Sequence, residues 1–322
     1  MKVLFTRFSA TGDIVLTTGP IDYFHRKFPE AQIDILTSPG GEELLSSLPY
    51  INKFHTVPKG SSLLKIISIY LKIPSYDYIF DFQGSLKSQL VSLFTKAKYL
   101  KIEKHSRERR AYVKSRKFKS LLTDHVVQKY AKVYLDEFNL NIPELEKLRP
   151  RFPNFKPQND IELPKKYIVL HPYASQKNKE WPYFFELSNL LISNNINVVV
   201  VGNGESHFPK EVINISNQTS LRQLFSVIQN ASAVVTTDSG PLHISVAFQI
   251  PTLSVFGPTT KELGFYPNFK KTLVLEDNDL QCRPCHVHGG NTCPLQHFQC
   301  MYNLSAQQAY NELHGLLLKY KN

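Results

Sequence analysis

Apolar and polar positions along the chain fall into short runs with two distinct periods. Lys2–Phe8 (KVLFTRF) reads as a first strand, and the helical run Ile14–Phe28 follows it, with Pro20 as a kink or break inside. Ala31–Leu36 and Tyr78–Phe82 read as further strands, and Leu63–Leu71 and Leu86–Phe94 as helices. Pro143, Pro150, Pro153, Pro157 and Pro164 then fall in a stretch without periodicity, which reads as a linker. After it the alternation restarts more clearly. Tyr167–His171 reads as a strand and Trp181–Ser193 as an amphipathic helix with Pro182 in its first turn. Asn197–Val201 (NVVVV) is apolar throughout, as a strand covered on both faces requires. Leu221–Ile228, Leu242–Phe248 and Ala306–Tyr320 read as helices, and Ala233–Thr237 and Thr252–Phe256 as strands.

Strands alternating with helices indicate βαβ units and parallel sheets. The expected fold is therefore α/β, with two doubly wound Rossmann-like domains at residues 1–155 and 156–322 and a last helix able to pack back on the first domain. The 322 residues suffice for two domains of roughly 100–200 residues each. In open α/β sheets ligands bind beyond the carboxyl ends of the strands. Two such sheets facing each other would put the site in the cleft between them.

Charge adds a second feature. The chain carries 38 Lys and Arg against 27 acidic residues, a net of +11. Lys96–Lys119 alone holds eleven Lys or Arg and two Glu, a net of +9. A concentrated basic segment suits an anionic partner such as a phosphorylated lipid, a nucleotide or a nucleic acid; the alternative is a solvated, mobile loop. No run approaches the ~18 continuous apolar residues of a membrane span. Arg7 and Asp13 interrupt what would be the apolar core of a signal peptide, so a cytoplasmic compartment is expected.

Three turns carry candidate chemistry. Ser9-Ala10-Thr11-Gly12-Asp13 ends the first strand, and the carboxylate of Asp13 could take a proton from a hydroxyl or simply cap the helix. The dinucleotide fingerprint G-x-G-x-x-G is absent there, which weighs against a dehydrogenase. Thr236-Thr237-Asp238-Ser239-Gly240-Pro241-Leu242-His243 joins a strand to a helix whose first N–H groups can hold phosphate; the alternative is Asp238 as N-cap with His243 packed inside. Phe256-Gly257-Pro258-Thr259-Thr260 is a further small, polar turn on the adjacent strand. Ser175, Lys177 and Lys179 precede the Trp181-Pro182 helix start, where a lysine can neutralise a departing diphosphate or merely be solvated. Glu205, in Gly202-Asn203-Gly204-Glu205, could accept hydrogen bonds from a sugar or base.

FSATGDIVLTTGP, HPYASQKNKEWP and TTDSGPLHISVAFQIPTLSVFGPT together resemble the lipopolysaccharide heptosyltransferases of glycosyltransferase family 9 over nearly the whole chain. The resemblance implies a GT-B architecture, an ADP-heptose-type donor, inversion at the anomeric carbon and no required cofactor. On it, Asp13 is similar to the base that activates the acceptor hydroxyl, beside Ser9 and Gly12. Ser175 and Lys179 match diphosphate contacts, with Lys179 stabilising the leaving ADP. Glu205 and Thr219 fall where the family holds adenosine, and Asp238, Ser239, Gly240 and His243 match the loop that binds sugar and phosphates. An anionic lipid A–Kdo acceptor would then meet Arg107, Arg109, Arg110 and Lys114, whose planar or extended cations pair with phosphate and carboxylate. Transient contact with the inner face of the inner membrane follows from such an acceptor, and no nucleic-acid partner is expected.

Two patterns suggest metal. Asp277-Asn278-Asp279 spells D-x-D but lies in a polar connection and reads as a surface turn. Cys282, Cys285, Cys293 and Cys300, with His286, His288 and His297 interleaved, have the spacing of a structural zinc knot; reduced packing thiols are the alternative. Two other functions remain in view: a nucleotide-sugar 2-epimerase of the same architecture, which needs extra cleft carboxylates, and a nucleic-acid-binding protein using Lys96–Lys119. Against the latter, Tyr99 and Tyr112 are sparse aromatics and no recognition signature is present.

Overall fold

The computed structural model describes residues 1–158 and 160–320. It divides into two compact units, one formed by Met1–Lys104 with Asp124–Lys156, the other by His105–Thr123 with Pro157–Asn322. The first unit runs β1 (Lys2–Thr6), α1 (Thr11–Lys27), β2 (Gln32–Thr37), α2 (Pro39–Leu45), β3 (Ile51–Thr56), α3 (Leu63–Tyr70), β4 (Tyr78–Asp81), α4 (Leu86–Gln89) and β5 (Lys98–Lys101). The chain then enters the second unit for α5 (Ser106–Ser115) and returns with α6 (Val126–Leu135).

The first sheet is parallel throughout, in the order β3-β2-β1-β4-β5. Its central strands are apolar because helices cover both faces. Phe5, Phe24 and Phe80 meet with ring centroids 5.2–5.5 Å apart. Helix α1 runs unbroken through Pro20. A proline in a helix interior costs about 3 kcal/mol. Burial of Leu16, Ile21 and Phe24 around it offsets that loss, at roughly 1.5–3 kcal/mol per side chain.

The second unit continues with β6 (Ile168–His171), α7 (Phe184–Ser193), β7 (Val198–Val200), β8 (Ile213–Asn214), α8 (Leu221–Gln229), β9 (Ala233–Thr237), α9 (Gly240–Ala247), β10 (Thr252–Phe256), β11 (Thr272–Glu276), α10 (Gln299–Tyr302) and α11 (Ala306–Lys319). Its sheet is also parallel, in the order β11-β10-β9-β6-β7-β8. The α/β, GT-B class expected from the sequence is what the two sheets show. Helix α7 begins at Phe184, three residues after the expected Trp181, because the Trp181 indole N–H is held by the Leu304 carbonyl at 2.7 Å. Helix α11 buries Ala306, Ala309 and Leu313 in the core of the second unit, in one cluster with Leu187, Leu191 and Leu253.

The basic segment is divided between the units, with Lys96–Lys104 in the first. Residues 105–123 belong to the second unit, and ordered contacts replace a mobile loop. The Arg116 guanidinium donates to the carbonyls of Pro284 at 2.9 Å and Gln281 at 3.1 Å. Lys119 pairs with Glu262 at 3.3 Å, and Tyr112, Leu122 and Leu263 form a small apolar cluster.

Candidate functional site

Each unit carries part of the candidate chemistry at the carboxyl ends of its strands. In the first, Asp13 occupies the third position of α1. One carboxylate oxygen meets the Arg7 guanidinium at 2.7 Å and accepts, at a long 3.4 Å, from the Ala10 N–H; the other accepts from the Tyr130 hydroxyl at 3.2 Å. The Asp13 side chain keeps 24% of its surface exposed, so it is oriented without being sealed. Ser9 is exposed and Gly12 buried in the same turn.

Strand β4 supplies the support for this turn. The Gln83 side-chain oxygen accepts from the N–H groups of Phe8 at 3.0 Å and Ser9 at 3.3 Å. Asp81, with no exposed surface, accepts from Thr6, Ser88 and Tyr99 hydroxyls and from the Gln83 and Gly84 N–H groups. Arg7 also donates to the Phe82 carbonyl at 2.8 Å and lies over the Tyr130 ring. Arg7, Gln83 and Tyr130 were not marked by sequence pattern: they are 74 to 117 residues from their partners or carry no local signature.

In the second unit the Lys179 ammonium and the Asp238 carboxylate form an ion pair at 2.6 Å, with side-chain exposures of 10% and 9%. The same carboxylate oxygen accepts from the Thr259 hydroxyl at 2.8 Å. Three separate turns noted in the sequence therefore converge on one carboxylate. Asp238 does not cap α9, since Ser239 is the N-cap, and Ser239 makes no side-chain capping bond. Its hydroxyl instead meets Thr236 at 3.0 Å and the Nδ1 of His171 at 3.3 Å. Proline at the start of α9 needs no N–H partner, and the N-cap Ser239 side chain takes up none of the other first-turn donors. His243 is buried within α9.

His171, at the end of β6, was not anticipated. Burial pushes its imidazole down to about 4, so it stays neutral and can pair with the Thr236 and Ser239 hydroxyls. Gly202, at φ +114, lies so close to this ring that a Cβ there would fall 2.6 Å from His171 Cδ2. Only glycine satisfies both the backbone angle and the approach.

Other expected residues lie apart from this ion pair or outside its bonding. Ser175 and Glu205 are exposed, and Thr219 is half-buried just before the N-cap of α8. Glu205 lines a cavity of about 670 Å³ with Tyr173, Trp181, Phe185, Phe298 and Tyr302; Ser175, Thr219 and Asp238 are not among its walls. On α5, Arg107, Arg110 and Lys114 are exposed whereas Arg109 is buried.

Among the described residues no group of three or more His, Cys, Asp or Glu side chains is arranged to hold a metal ion. The fourth cysteine of the spacing, Cys300, is buried in the apolar core beside Met301 and Leu304, where burial raises its thiol to about 12. A protonated packing thiol is the result. Asp277-Asn278-Asp279 is a turn in which the Asp277 carboxylate accepts from the Asp279 N–H at 3.0 Å and from Asn303 at 2.6 Å.

Residues 69–297 match the family model of glycosyltransferase family 9 (heptosyltransferase). The chain belongs to that family and is a glycosyltransferase enzyme. It is 26% identical to the lipooligosaccharide heptosyltransferase 2 of Campylobacter jejuni, with 98% of each chain covered. Among solved structures it resembles the ADP-heptose lipopolysaccharide heptosyltransferase II of Escherichia coli, at a TM-score of 0.74, 21% identity and full coverage of both chains. It also resembles a family 9 glycosyltransferase from Veillonella parvula, at a TM-score of 0.78 and 13% identity over 99% of this chain and 97% of that one.

Proposed function

We propose that the protein transfers heptose from ADP-heptose to the inner core of lipopolysaccharide, with inversion at the anomeric carbon. The observation that carries this reading is the buried Lys179–Asp238 pair at the uncapped start of α9, a fixed cation beside backbone donors, which is what a diphosphate leaving group needs. Family membership and the names of the relatives support heptose as the sugar.

In this reading Asp13 accepts the proton of the acceptor hydroxyl as that oxygen attacks the anomeric carbon. The bond from carbon to the diphosphate oxygen breaks, and its electron pair leaves with ADP. Lys179 and the α9 N–H groups offset the charge that develops, so no step calls on a cofactor. Ser239, Gly240 and His243 shape the phosphate and sugar end, Ser175 reaches the diphosphate from its exposed position, and Glu205 and Thr219 serve the adenosine. Ser9 and Gly12 flank the acceptor hydroxyl.

Arg107, Arg110 and Lys114 recur at spacings of three and four along α5, so one exposed helical stripe offers three cations to an anionic lipid A–Kdo acceptor. Arg109, on the buried side with Tyr112, serves to seat that helix. No helix among the described residues is long and apolar enough to cross a membrane. A lipid-linked acceptor therefore implies work at the inner-membrane surface from the cytoplasmic side.

The test is ADP release on incubation with ADP-heptose and a panel of Kdo-bearing acceptors. Acceptor-dependent release together with a heptosylated product is expected. Release of UDP or GDP from the corresponding nucleotide-sugars, with no ADP from ADP-heptose, would overturn the donor assignment.

A further inference from the structure

The segment carrying Cys282, Cys285 and Cys293 has no part in the mechanism above, yet it is bonded to Asn178, the neighbour of the lysine that mechanism depends on. Asn178, only 2% exposed, donates its backbone N–H to the Gly290 carbonyl at 3.0 Å. Its side-chain oxygen accepts from the Gly290 N–H at 2.8 Å, and its amide nitrogen donates to the Thr292 carbonyl at 3.4 Å. One buried asparagine thus uses both ends of its side chain and its backbone on the loop that follows Cys285. Next to it, Gly289 lies at φ +84 against the stem of Lys179. A Cβ on Gly289 would fall 2.9 Å from Lys179 Cε and 3.0 Å from Lys179 Cγ.

The other end of the loop is fixed to the turn after β10. The Arg283 guanidinium, 4% exposed, pairs with Glu276 and donates to the carbonyls of Phe256, Gly257 and Thr259, and the Cys285 N–H donates to the Pro258 carbonyl at 3.1 Å. That turn also presents the Thr259 hydroxyl to Asp238, which holds the Lys179 ammonium. The bonds therefore close a ring: Lys179, Asp238, Thr259, the 283–290 loop, Asn178 and back to Lys179. A flexible four-carbon lysine stem loses its freedom only if it is held along its length as well as at its tip.

We infer that residues 283–292 form a brace that positions the Lys179 ammonium, with Asn178 and Gly289 as its positioning residues. The inference rests on the reading of Lys179 as the cation that receives the diphosphate. An ammonium displaced by about 1 Å loses much of its effect on a transition state, so loosening the brace lowers turnover while leaving the acceptor side alone.

The experiment measures steady-state ADP release from ADP-heptose, and ADP binding by calorimetry, for Asn178→Ala, Gly289→Ala, Lys179→Met and the double variant Asn178→Ala with Lys179→Met. It is run well below each variant's unfolding temperature. Asn178→Ala and Gly289→Ala are each expected to lose about tenfold or more in kcat/KM for the donor, with KM for the acceptor unchanged. In the Lys179→Met background the Asn178→Ala loss should vanish, because the residue acts through the lysine. A loss that persists undiminished in that background marks a merely structural role and overturns the inference. So does full activity of Asn178→Ala when Lys179→Met is impaired. If Lys179→Met itself keeps full ADP binding and turnover, the assignment of Lys179 fails and the brace has nothing to position. Should Asn178→Ala not fold, Gly289→Ala and its double variant with Lys179→Met carry the same comparison.

Discussion

The turn after β1 and the turn after β9 share a plan: a parallel strand, a short polar segment containing an aspartate, then a helix. The two aspartates nevertheless have opposite circumstances. Asp13 touches Arg7 and Tyr130 but keeps about a quarter of its side chain open. Asp238 is nearly sealed, its one oxygen shared between an ammonium and a hydroxyl. An accessible carboxylate can exchange a proton with a substrate. A carboxylate enclosed with its counter-ion instead holds that counter-ion in place, because separating the pair would leave a charge uncompensated away from water.

The strongest way to break this contrast is to remove the charge of Asp13. Asp13→Asn should lower kcat by roughly 10²–10⁴ while shifting the thermal midpoint little, as measured by ADP release at saturating substrates and by calorimetry. Full turnover would end the assignment of Asp13 as base.

The converse holds for the second aspartate. Asp238→Leu strands a buried ammonium and should cost about 3–5 kcal/mol of stability in urea unfolding. Adding Lys179→Met to it should recover most of that loss, since an apolar pair of similar volume replaces the ions. If the single variant is as stable as the parent, the pair is not the buried anchor described above.

A smaller effect belongs to His171. Its folded value, about 4, lies below the ordinary value of about 6.5, so the unfolded chain takes up a proton first as pH falls. The stability it contributes is whole above about 6.5 and drains as pH falls toward about 4, by at most about 1.4 kcal/mol per unit. His171→Gln should flatten the acid limb of the stability curve relative to the parent, read by urea midpoints between pH 7 and 4.5. Parallel limbs would contradict a buried neutral ring. Smallest of all, Tyr130→Phe removes one hydroxyl from Asp13 and should reduce kcat by about fivefold, near 1 kcal/mol, with the acceptor KM unmoved. A change confined to KM would place Tyr130 on the acceptor instead.

How much of this was legible in the sequence follows from where the signals came from. Strands β9 and β10 were read to the residue because they are buried along their whole length and bounded by polar turns. Strands β3 and β5 were missed because they lie at sheet edges and carry exposed lysines and an asparagine in place of apolar alternation. Helix α6 was missed for another reason: its N-cap is His125, which is not among the residues that mark a helix start in sequence. At the site, Lys179, Asp238 and the turn of Thr259 each stood out locally, but their convergence on one carboxylate depends on strand order. His171 and Asn178 looked like the ends of an apolar strand and a charged loop, and only the packing around them gives them a role.

The excursion of residues 105–123 into the second unit sets a schedule for synthesis. Arg116 bonds to a carbonyl 168 residues further on, and Lys119 pairs with Glu262. At about 5–20 residues per second a ribosome needs roughly ten to thirty seconds to make that intervening chain. Through that interval α5 must wait with Tyr112 and Leu122 lacking the Leu263 side chain they cluster with. The nascent first half therefore carries unburied apolar and basic side chains at the same place until the second unit is made.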